Sequence, residues 1–235
     1  MYIGQFGNAL QHLVCGWHLT ANSNDFSGHA YNGVDTDVSY IAAGVIGGAG
    51  AKFNGSSSKI NINNAVNSTY ISQSSYSVAV LIKLPISAPT TQPIFGRGLV
   101  QYSGKFYGTA LLVLSNQVQF TRNIGTSSSY IITAPYTFES SKRYLIGLTV
   151  DRPAATAKIY VYPLESKSRS IGSGSFAAVN VNYSYSYDQG LNVGANLRGI
   201  SNQYSTLTMN EFLVFDNILR ASWFIEYAAL LRGFR

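Results

Sequence analysis

The sequence predicts an all-β protein, a two-sheet antiparallel jelly-roll sandwich with a short C-terminal helix. Many short stretches alternate between apolar and polar residues, which is the period of half-buried strands, and clusters of turn-forming residues separate them. Such regular spacing of short strands is typical of a sandwich or jelly roll. Only one stretch, at 221–231, has apolar residues at helical spacing. A chain of 235 residues is long enough for one such domain with a sizeable core.

The N-terminal part of the chain is predicted to alternate strands with turns. Trp17 and Leu19 alternate with His18 and Thr20, as expected for a half-buried first strand. After it we predict a polar loop, a weak strand, a glycine-rich turn and an alternating strand, at 21–33, 38–42, 47–55 and 59–62.

The central part is dominated by the stretch at 75–84. It is almost continuously apolar, so both of its faces are expected to be covered, as in a central strand. Pro85, Pro89 and Pro93 then predict a loop. The further strands are predicted at 94–96, 109–114, 118–122, 130–133, 144–150, 158–162 and 176–187.

The C-terminal part, 207–231, is predicted as a strand, a turn and the helix at 221–231. Trp223, Tyr227 and Leu231 share one helix face, and Gly233 ends the helix. We expect this part to meet the first strand and the glycine-rich turn in space.

The ends of the chain carry few signals of processing. Residues 1–12 are interpreted as a leader or anchoring segment, either an edge strand or an oligomer contact, and 13–235 as one domain. No basic and apolar signal peptide precedes the domain, and no apolar run approaches the roughly 18 residues of a membrane span. Cys15 is the single cysteine, so an intrachain disulfide is excluded, and we expect it to be buried.

The surface is expected to be polar but weakly charged. Charged residues make up 11% of the chain, against roughly a quarter in typical domains. Ser, Asn, Thr, Gln and Tyr must therefore cover the surface, which suits extracellular or virion proteins and sugar recognition. The net charge of +6 is scattered, so no nucleic-acid tail is indicated. It favours solubility or weak attraction to anionic surfaces.

Three motifs together carry a resemblance to a known family. The first is Trp17-x-Leu19 followed by NDFSG at 24–28; the second is GAKFNGSSSKINI at 50–62; the third is MNEFLVFDNIL at 209–219, ahead of the helix. Over about residues 13–231 the chain resembles a laminin-G-like domain of the concanavalin A-like lectin/glucanase superfamily. Their order and spacing are specific for the fold and poorly specific for function.

The resemblance also implies a candidate calcium site. In the family, an acidic residue near the first loop and another from the last strand hold calcium together with loop carbonyls. The matching residues are Asp25 and Glu211, with carbonyls near 32–33, and calcium prefers such oxygen ligands. This chain has Asn210 where the family often has a second acidic residue. The alternative is that Asp25 caps a turn through its own backbone, and both remain open.

Aromatic residues are the candidates for ligand binding. Sugar rings stack on exposed aromatic faces, and loops carry recognition in such scaffolds. The tyrosines in or beside predicted loops are therefore the candidate ligand-binding residues: Tyr102, Tyr107, Tyr130, Tyr136 and Tyr204. A same-side ladder of Tyr183, Tyr185 and Tyr187 is better explained by core packing or cross-strand pairing.

No catalytic site is predicted. A glucanase of this fold needs two neighbouring carboxylates, typically E-x-D-x-E on one strand, and the ten acidic residues contain no such triplet. His12, His18 and His29 fit no zinc signature, and no G-x-S-x-G motif exists.

These observations favour a non-catalytic, surface- or glycan-binding lectin-like protein. The preferred setting is the exterior of a phage virion, as a capsid decoration or tail-fibre/receptor-binding protein, because phage proteins need no signal peptide. The alternative is a secreted carbohydrate-binding module or a glucanase-type glycoside hydrolase. The expected partners are a cell-surface glycan or a virion shell protein. Single domains bind glycans weakly, so a homo-oligomer or repeated copies on a symmetric particle are expected.

Overall fold

The structure is a computed structural model that describes residues 8–45, 48–62, 66–71, 74–86, 91–102, 105–126, 130–176, 191–197 and 202–233. Two large antiparallel sheets, of eight and seven strands, face each other, so the predicted two-sheet sandwich is confirmed. The strands are β1 (Leu13–Trp17), β2 (Val34–Thr36), β3 (Ser39–Ile41), β4 (Gly50–Lys52), β5 (Lys59–Ile62), β6 (Tyr76–Lys83), β7 (Thr91–Tyr102), β8 (Lys105–Leu114), β9 (Gln117–Thr126), β10 (Tyr130–Pro135), β11 (Arg143–Asp151), β12 (Thr156–Pro163), β13 (Ser170–Ser175), β14 (Leu191–Val193), β15 (Ala195–Asn196), β16 (Gln203–Tyr204) and β17 (Thr208–Phe215).

The first sheet has the strand order β13-β12-β11-β6-β17-β4-β3, and β1 also pairs with β17. The second sheet has the order β10-β9-β8-β7-β14-β5-β2, while β15 and β16 form a separate hairpin. Because β1 and β4 both pair with β17, the first strand and the glycine-rich turn meet the C-terminal part, as the sequence predicts.

The sandwich is closed where β13 lies against β10. A side chain at Gly172 would bring its Cβ to 1.9 Å from the carbonyl oxygen of Thr133, so only glycine permits this approach. The sequence analysis missed β13, because SIGSGS has a single β-branched residue, Ile171, among serines and glycines, which rarely mark strands.

Two apolar cores lie on opposite faces of the first sheet. Between the sheets, Val78 and Val80 of β6 point into the larger core with Trp17 and Phe212. The alternate residues of β6 point outward into a smaller core under the C-terminal helix. This double coverage explains the continuous apolarity of β6 and confirms its predicted central position.

The C-terminal helix, α1 (Ala221–Gly233), covers the outer face of the first sheet. Trp223 and Leu231 are buried and Tyr227 is partly buried, as predicted for one helix face. Phe224 packs over Gly147, where an added Cβ would lie 2.5 Å from its ring. Within the described part of the chain, no helix is long and apolar enough to cross a membrane.

Some boundaries differ from the predictions. The first strand ends at Trp17, because Leu19 adopts a left-handed φ of 41° although its side chain is buried. The prediction that Pro93 belongs to a loop is wrong: it lies within β7, at a register shift where a proline is tolerated. Beyond Phe176, the strand predicted at 176–187 and its tyrosine ladder lie outside the described residues.

Candidate functional site

The polar loop after β1 folds back along the edge of that strand. The Phe26 amide donates a hydrogen bond to the carbonyl oxygen of Gly16 at 2.9 Å, and Trp17 forms a bridge with Asp25. Gly16 leaves room for this return, since a Cβ there would lie 2.8 Å from the Phe26 ring. The outer side of β1 therefore carries the Phe26 ring instead of a side chain of its own.

The carboxylate of Asp25 holds this loop together. It accepts hydrogen bonds from the backbone amides of Gly16 at 2.8 Å, Ser27 at 3.0 Å and Tyr31 at 2.9 Å, and the Ser27 hydroxyl lies 2.7 Å away. Burial alone would raise the pKa of Asp25, but these hydrogen bonds outweigh it and lower the pKa. The contact with the Ser27 amide is the turn cap that formed one of the two predicted alternatives.

Glu211, the other predicted calcium ligand, lies on β17, and its carboxylate also binds side chains of the same protein. Its carboxylate accepts a hydrogen bond from the Tyr227 hydroxyl, and its other oxygen lies 3.4 Å from Nδ1 of His18. Both oxygens of Asp25 already accept hydrogen bonds, so the carboxylates of Asp25 and Glu211 in this arrangement do not fit a calcium ion. Among the described residues, no group of three or more His, Cys, Asp or Glu could hold a metal ion. Calcium binding stays a prediction.

An exposed pair of rings lies beside Glu211. The rings of His18 and Phe26 are stacked with centroids 4.0 Å apart and an interplanar angle of 2°. The His18 side chain is 59% exposed and Phe26 is 42% exposed. We call His18, Phe26, Glu211 and Tyr227 the ring surface. It offers an aromatic face next to a carboxylate and a hydroxyl.

The pKa of His18 at the ring surface depends chiefly on its contact with Glu211. The hydrogen bond from His18 to Glu211 raises the pKa of His18, although burial acts in the opposite direction. The sequence analysis missed this surface as a binding candidate. Its available signals were the outward alternation of His18 on the first strand and an aromatic residue, Phe26, within the turn-forming NDFSG segment.

Three of the predicted ligand-binding tyrosines lie toward one end of the second sheet. Tyr102 and Tyr107 belong to the β7–β8 hairpin, and Tyr130 begins β10 at the same end. Tyr130 is partly buried against the larger core between the sheets.

The other two tyrosines lie elsewhere. Tyr136 follows β10 at the opposite end, where its ring packs against Phe138 and Tyr144 at centroid distances of 5.1 and 5.8 Å. Tyr204 is half-buried in the β15–β16 hairpin. The five residues do not form a single site, and their part in ligand binding stays a prediction.

Several described carboxylates bind donors of the same chain, as Asp25 and Glu211 do. Asp35 accepts hydrogen bonds from Ser23 and Tyr40, both at 2.6 Å. Glu165 pairs with Arg143 at 2.7 Å. Acids that are held in this way connect loops and strand ends to their neighbours.

No protein-family model and no curated protein matches the sequence. Solved structures with this fold do match. The binding domain of botulinum neurotoxin DC, in complex with rat synaptotagmin II, has a TM-score of 0.64 at 14% identity over 95% of this chain and 52% of its own. The serotype C1 binding domain has a TM-score of 0.61 at 18% identity, over 97% of this chain and 53% of its own.

A third similar structure is a viral protein. Full-length tailspike protein 2 from an Escherichia coli O157:H7 bacteriophage has a TM-score of 0.57 at 13% identity. The match covers 85% of this chain and 26% of the tailspike. This chain therefore spans about half of each toxin domain and a quarter of the tailspike. At these identities, the likeness establishes a shared β-sandwich fold.

Proposed function

We propose that this protein is a non-catalytic, lectin-like module that binds glycans at a surface. The observation that carries the proposal is the ring surface: an exposed, stacked His18–Phe26 pair next to the Glu211 carboxylate, on the border of a rigid sandwich. The apolar face of a sugar ring packs on such an aromatic face, while its hydroxyls bond to neighbouring polar groups. Glu211, His18 and the Tyr227 hydroxyl supply those groups.

The shared fold supports a binding role. The similar toxin structures are named as binding domains, and one is described in terms of an interaction with two ganglioside molecules. Fold alone does not define function, so the ring surface remains the specific argument. We also infer that the domain is of the laminin-G-like type, from the motifs at 17–28, 50–62 and 209–219.

The absence of catalysis is part of the proposal. A glycosidase needs one carboxyl group that donates a proton and a second that acts as nucleophile or base. Asp25, Asp35, Glu165 and Glu211 instead accept hydrogen bonds from neighbouring side chains or amides. The glucanase-type alternative thus finds no support among these four residues.

We place the protein on the exterior of a phage virion, as a tail-fibre/receptor-binding or capsid-decorating component. Its low charge fraction and the likeness to a tailspike support this setting. Multiple copies would convert a weak single-site affinity into useful avidity, so we expect a homo-oligomer or an array on the particle. Residues 1–12 are our candidate for the anchoring contact. Of these, Ala9 packs into the smaller core under α1, and the His12 ring forms a hydrogen bond with Asp216.

A glycan array compares the intact protein with a double variant, His18→Ala with Phe26→Ala. Loss of two exposed aromatic contacts should weaken binding by about tenfold, since an aromatic anchor contributes more than about 1 kcal/mol. The matched control is Ile86→Ala, which truncates an exposed apolar residue away from the ring surface. Incubation with each bound glycan should release no reducing sugar.

Equal binding by the double variant and the control would remove the ring surface as the site. Absence of binding to every glycan and to intact bacterial cells would overturn the proposed function. Release of sugar that is lost in Glu211→Gln would replace it with a hydrolase.

A further inference from the structure

A polar groove lies beside the smaller core, where α1 begins. It encloses about 410 Å³ between residues 8–12 and 217–223, and a second depression of about 320 Å³ lies across the ridge formed by Ile218, Leu219 and Arg220. Both volumes fall within the roughly 300–1,000 Å³ of typical small-molecule sites. The larger groove is lined by Asn8, Gln11, His12, Asn217, Ser222 and Trp223.

Hydrogen bonds of the backbone and of the His12 and Ser77 side chains hold the walls of the groove in place. The amide of Asp216 donates to the carbonyl oxygen of His12 at 3.0 Å, and the His12 ring bonds to the Asp216 carboxylate at 2.8 Å. From below, the Ser77 hydroxyl donates to the carbonyl oxygen of Asn217 and accepts from the amide of Leu219. The groove is therefore a formed feature of the fold and not a gap between two loose segments.

One buried polar atom at the groove lacks a partner among the described residues. The side-chain oxygen Oδ1 of Asn217 is buried, yet it accepts no hydrogen bond from a described residue. A buried acceptor of this kind is costly unless a donor from solvent or a ligand reaches it. A hydroxyl-rich ligand would supply that donor, and the amide side chains of Asn8 and Gln11 line the same groove.

The charge left over at the groove is positive. Arg220 lines both depressions and Lys158 lines the smaller one, and both side chains are exposed. Neither forms a salt bridge within the described part of the chain. Asp151 also lines the smaller depression, where it accepts from the amide of Ala154, and Asp216 pairs with His12 at the larger groove. The linings of the two depressions therefore carry two cations, Arg220 and Lys158, against one carboxylate, Asp151.

We propose that this groove is a second saccharide site, specific for carboxylate-bearing sugars such as the uronic acids of acidic polysaccharides. Asn217 accepts a hydrogen bond from a sugar hydroxyl, and Arg220, together with Lys158 of the adjoining depression, binds the carboxylate. Arginine suits this role because its planar fork matches a carboxylate. The inference rests on the proposed glycan-binding function and extends it from the ring surface to a separate region with a defined ligand class.

The test titrates the 235-residue chain with short oligogalacturonides and with uncharged galacto-oligosaccharides of matched length, and binding is measured by calorimetry and by amide chemical shifts. Acidic oligomers should bind more tightly and should shift resonances of residues 217–223. The variant Arg220→Gln with Lys158→Gln should weaken their binding about tenfold or more, because hydrogen bonds to a charged carboxylate are stronger than those between neutral groups. The matched control, Lys52→Gln with Lys167→Gln, removes two exposed cations outside the groove.

The same titration on the His18→Ala, Phe26→Ala variant separates this inference from the proposed function. Groove binding should persist in that variant. If acidic oligomers shift residues 18–31 instead, or if the groove variant and the Lys52→Gln, Lys167→Gln control weaken binding equally, the groove assignment fails while the glycan-binding function stands. If no oligomer binds but the glycan array is positive through the ring surface, the groove assignment fails alone. A negative array together with negative titrations overturns both.

Discussion

The Asp25 loop, residues 21–33, and the groove at 217–223 are two polar regions with opposite hydrogen-bonding states. In the loop, both carboxylate oxygens of Asp25 accept hydrogen bonds from donors of the chain. In the groove, Asn217 has a buried oxygen without a described donor, and Arg220 forms no salt bridge with any residue that the structure describes. The difference teaches that polarity alone does not identify a ligand-binding region, because a polar group can be occupied by donors of the chain itself, as Asp25 is, or lack one, as Asn217 does.

The largest contrast is expected in stability. Asp25→Ala removes the acceptor of three backbone amides and should lower the free energy of unfolding by about 2–4 kcal/mol. Asn217→Ala removes an oxygen without a described partner and should change it by less than about 0.5 kcal/mol. Urea unfolding followed by circular dichroism measures both. If the two substitutions cost the same, the loop and the groove do not differ as described.

Acid adds a second measure of the Asp25 effect. The pKa of Asp25 is lowered in the folded state, so its stabilisation is fully present above the unfolded value of 3.8 and is lost as pH falls through the folded pKa. The difference in unfolding free energy between the wild type and Asp25→Asn should therefore shrink below about pH 3.8. A difference that stays constant down to pH 2 would mean that the Asp25 charge does not stabilise the loop.

Calcium offers a way to break the comparison. An ion bound only by the folded state raises the melting temperature by mass action. If the predicted site at Asp25 and Glu211 exists, millimolar calcium should raise the melting temperature of the wild type by a few degrees and leave Asp25→Asn unchanged. Magnesium is the control cation, since it demands tighter octahedral geometry. Equal responses in both proteins would remove Asp25 as a ligand, and no response would leave it a turn cap only.

Much of the fold could be predicted because it depends on local patterns. Continuous apolarity marked β6 as covered on both faces, and the spacing of Trp223, Tyr227 and Leu231 marked α1. The β13 strand escaped notice because its serines and glycines pack through backbone contact at Gly172 and not through apolar side chains.

The candidate sites were harder to predict. Asp25 stood out in sequence, yet whether it binds an ion or caps a turn depends on where the amides of Gly16 and Tyr31 point. The groove left no motif at all, because Lys158 and Arg220 are 62 positions apart in the chain and meet only through the packing of β12 beside α1.

The smallest expected effect concerns His18, whose contact with Glu211 makes the ring surface sensitive to pH. The pKa of His18 is raised above 6.5, chiefly by its hydrogen bond to Glu211. A raised folded pKa stabilises the fold fully below the unfolded value and loses that contribution as pH rises through the folded value. Stability should therefore fall slightly on going above pH 6.5, and the effect is small because the side chain is 59% exposed.

An NMR titration of the His18 ring measures this contact directly. In Glu211→Gln the partner is neutral, so the His18 pKa should fall toward 6.5. The control is Asp216→Asn, which alters the contact with His12 and should leave His18 unchanged. If the His18 titration is the same in the wild type and in Glu211→Gln, the two side chains do not interact in solution. Glycan binding at the ring surface would then depend on the stacked rings and not on the charge of His18.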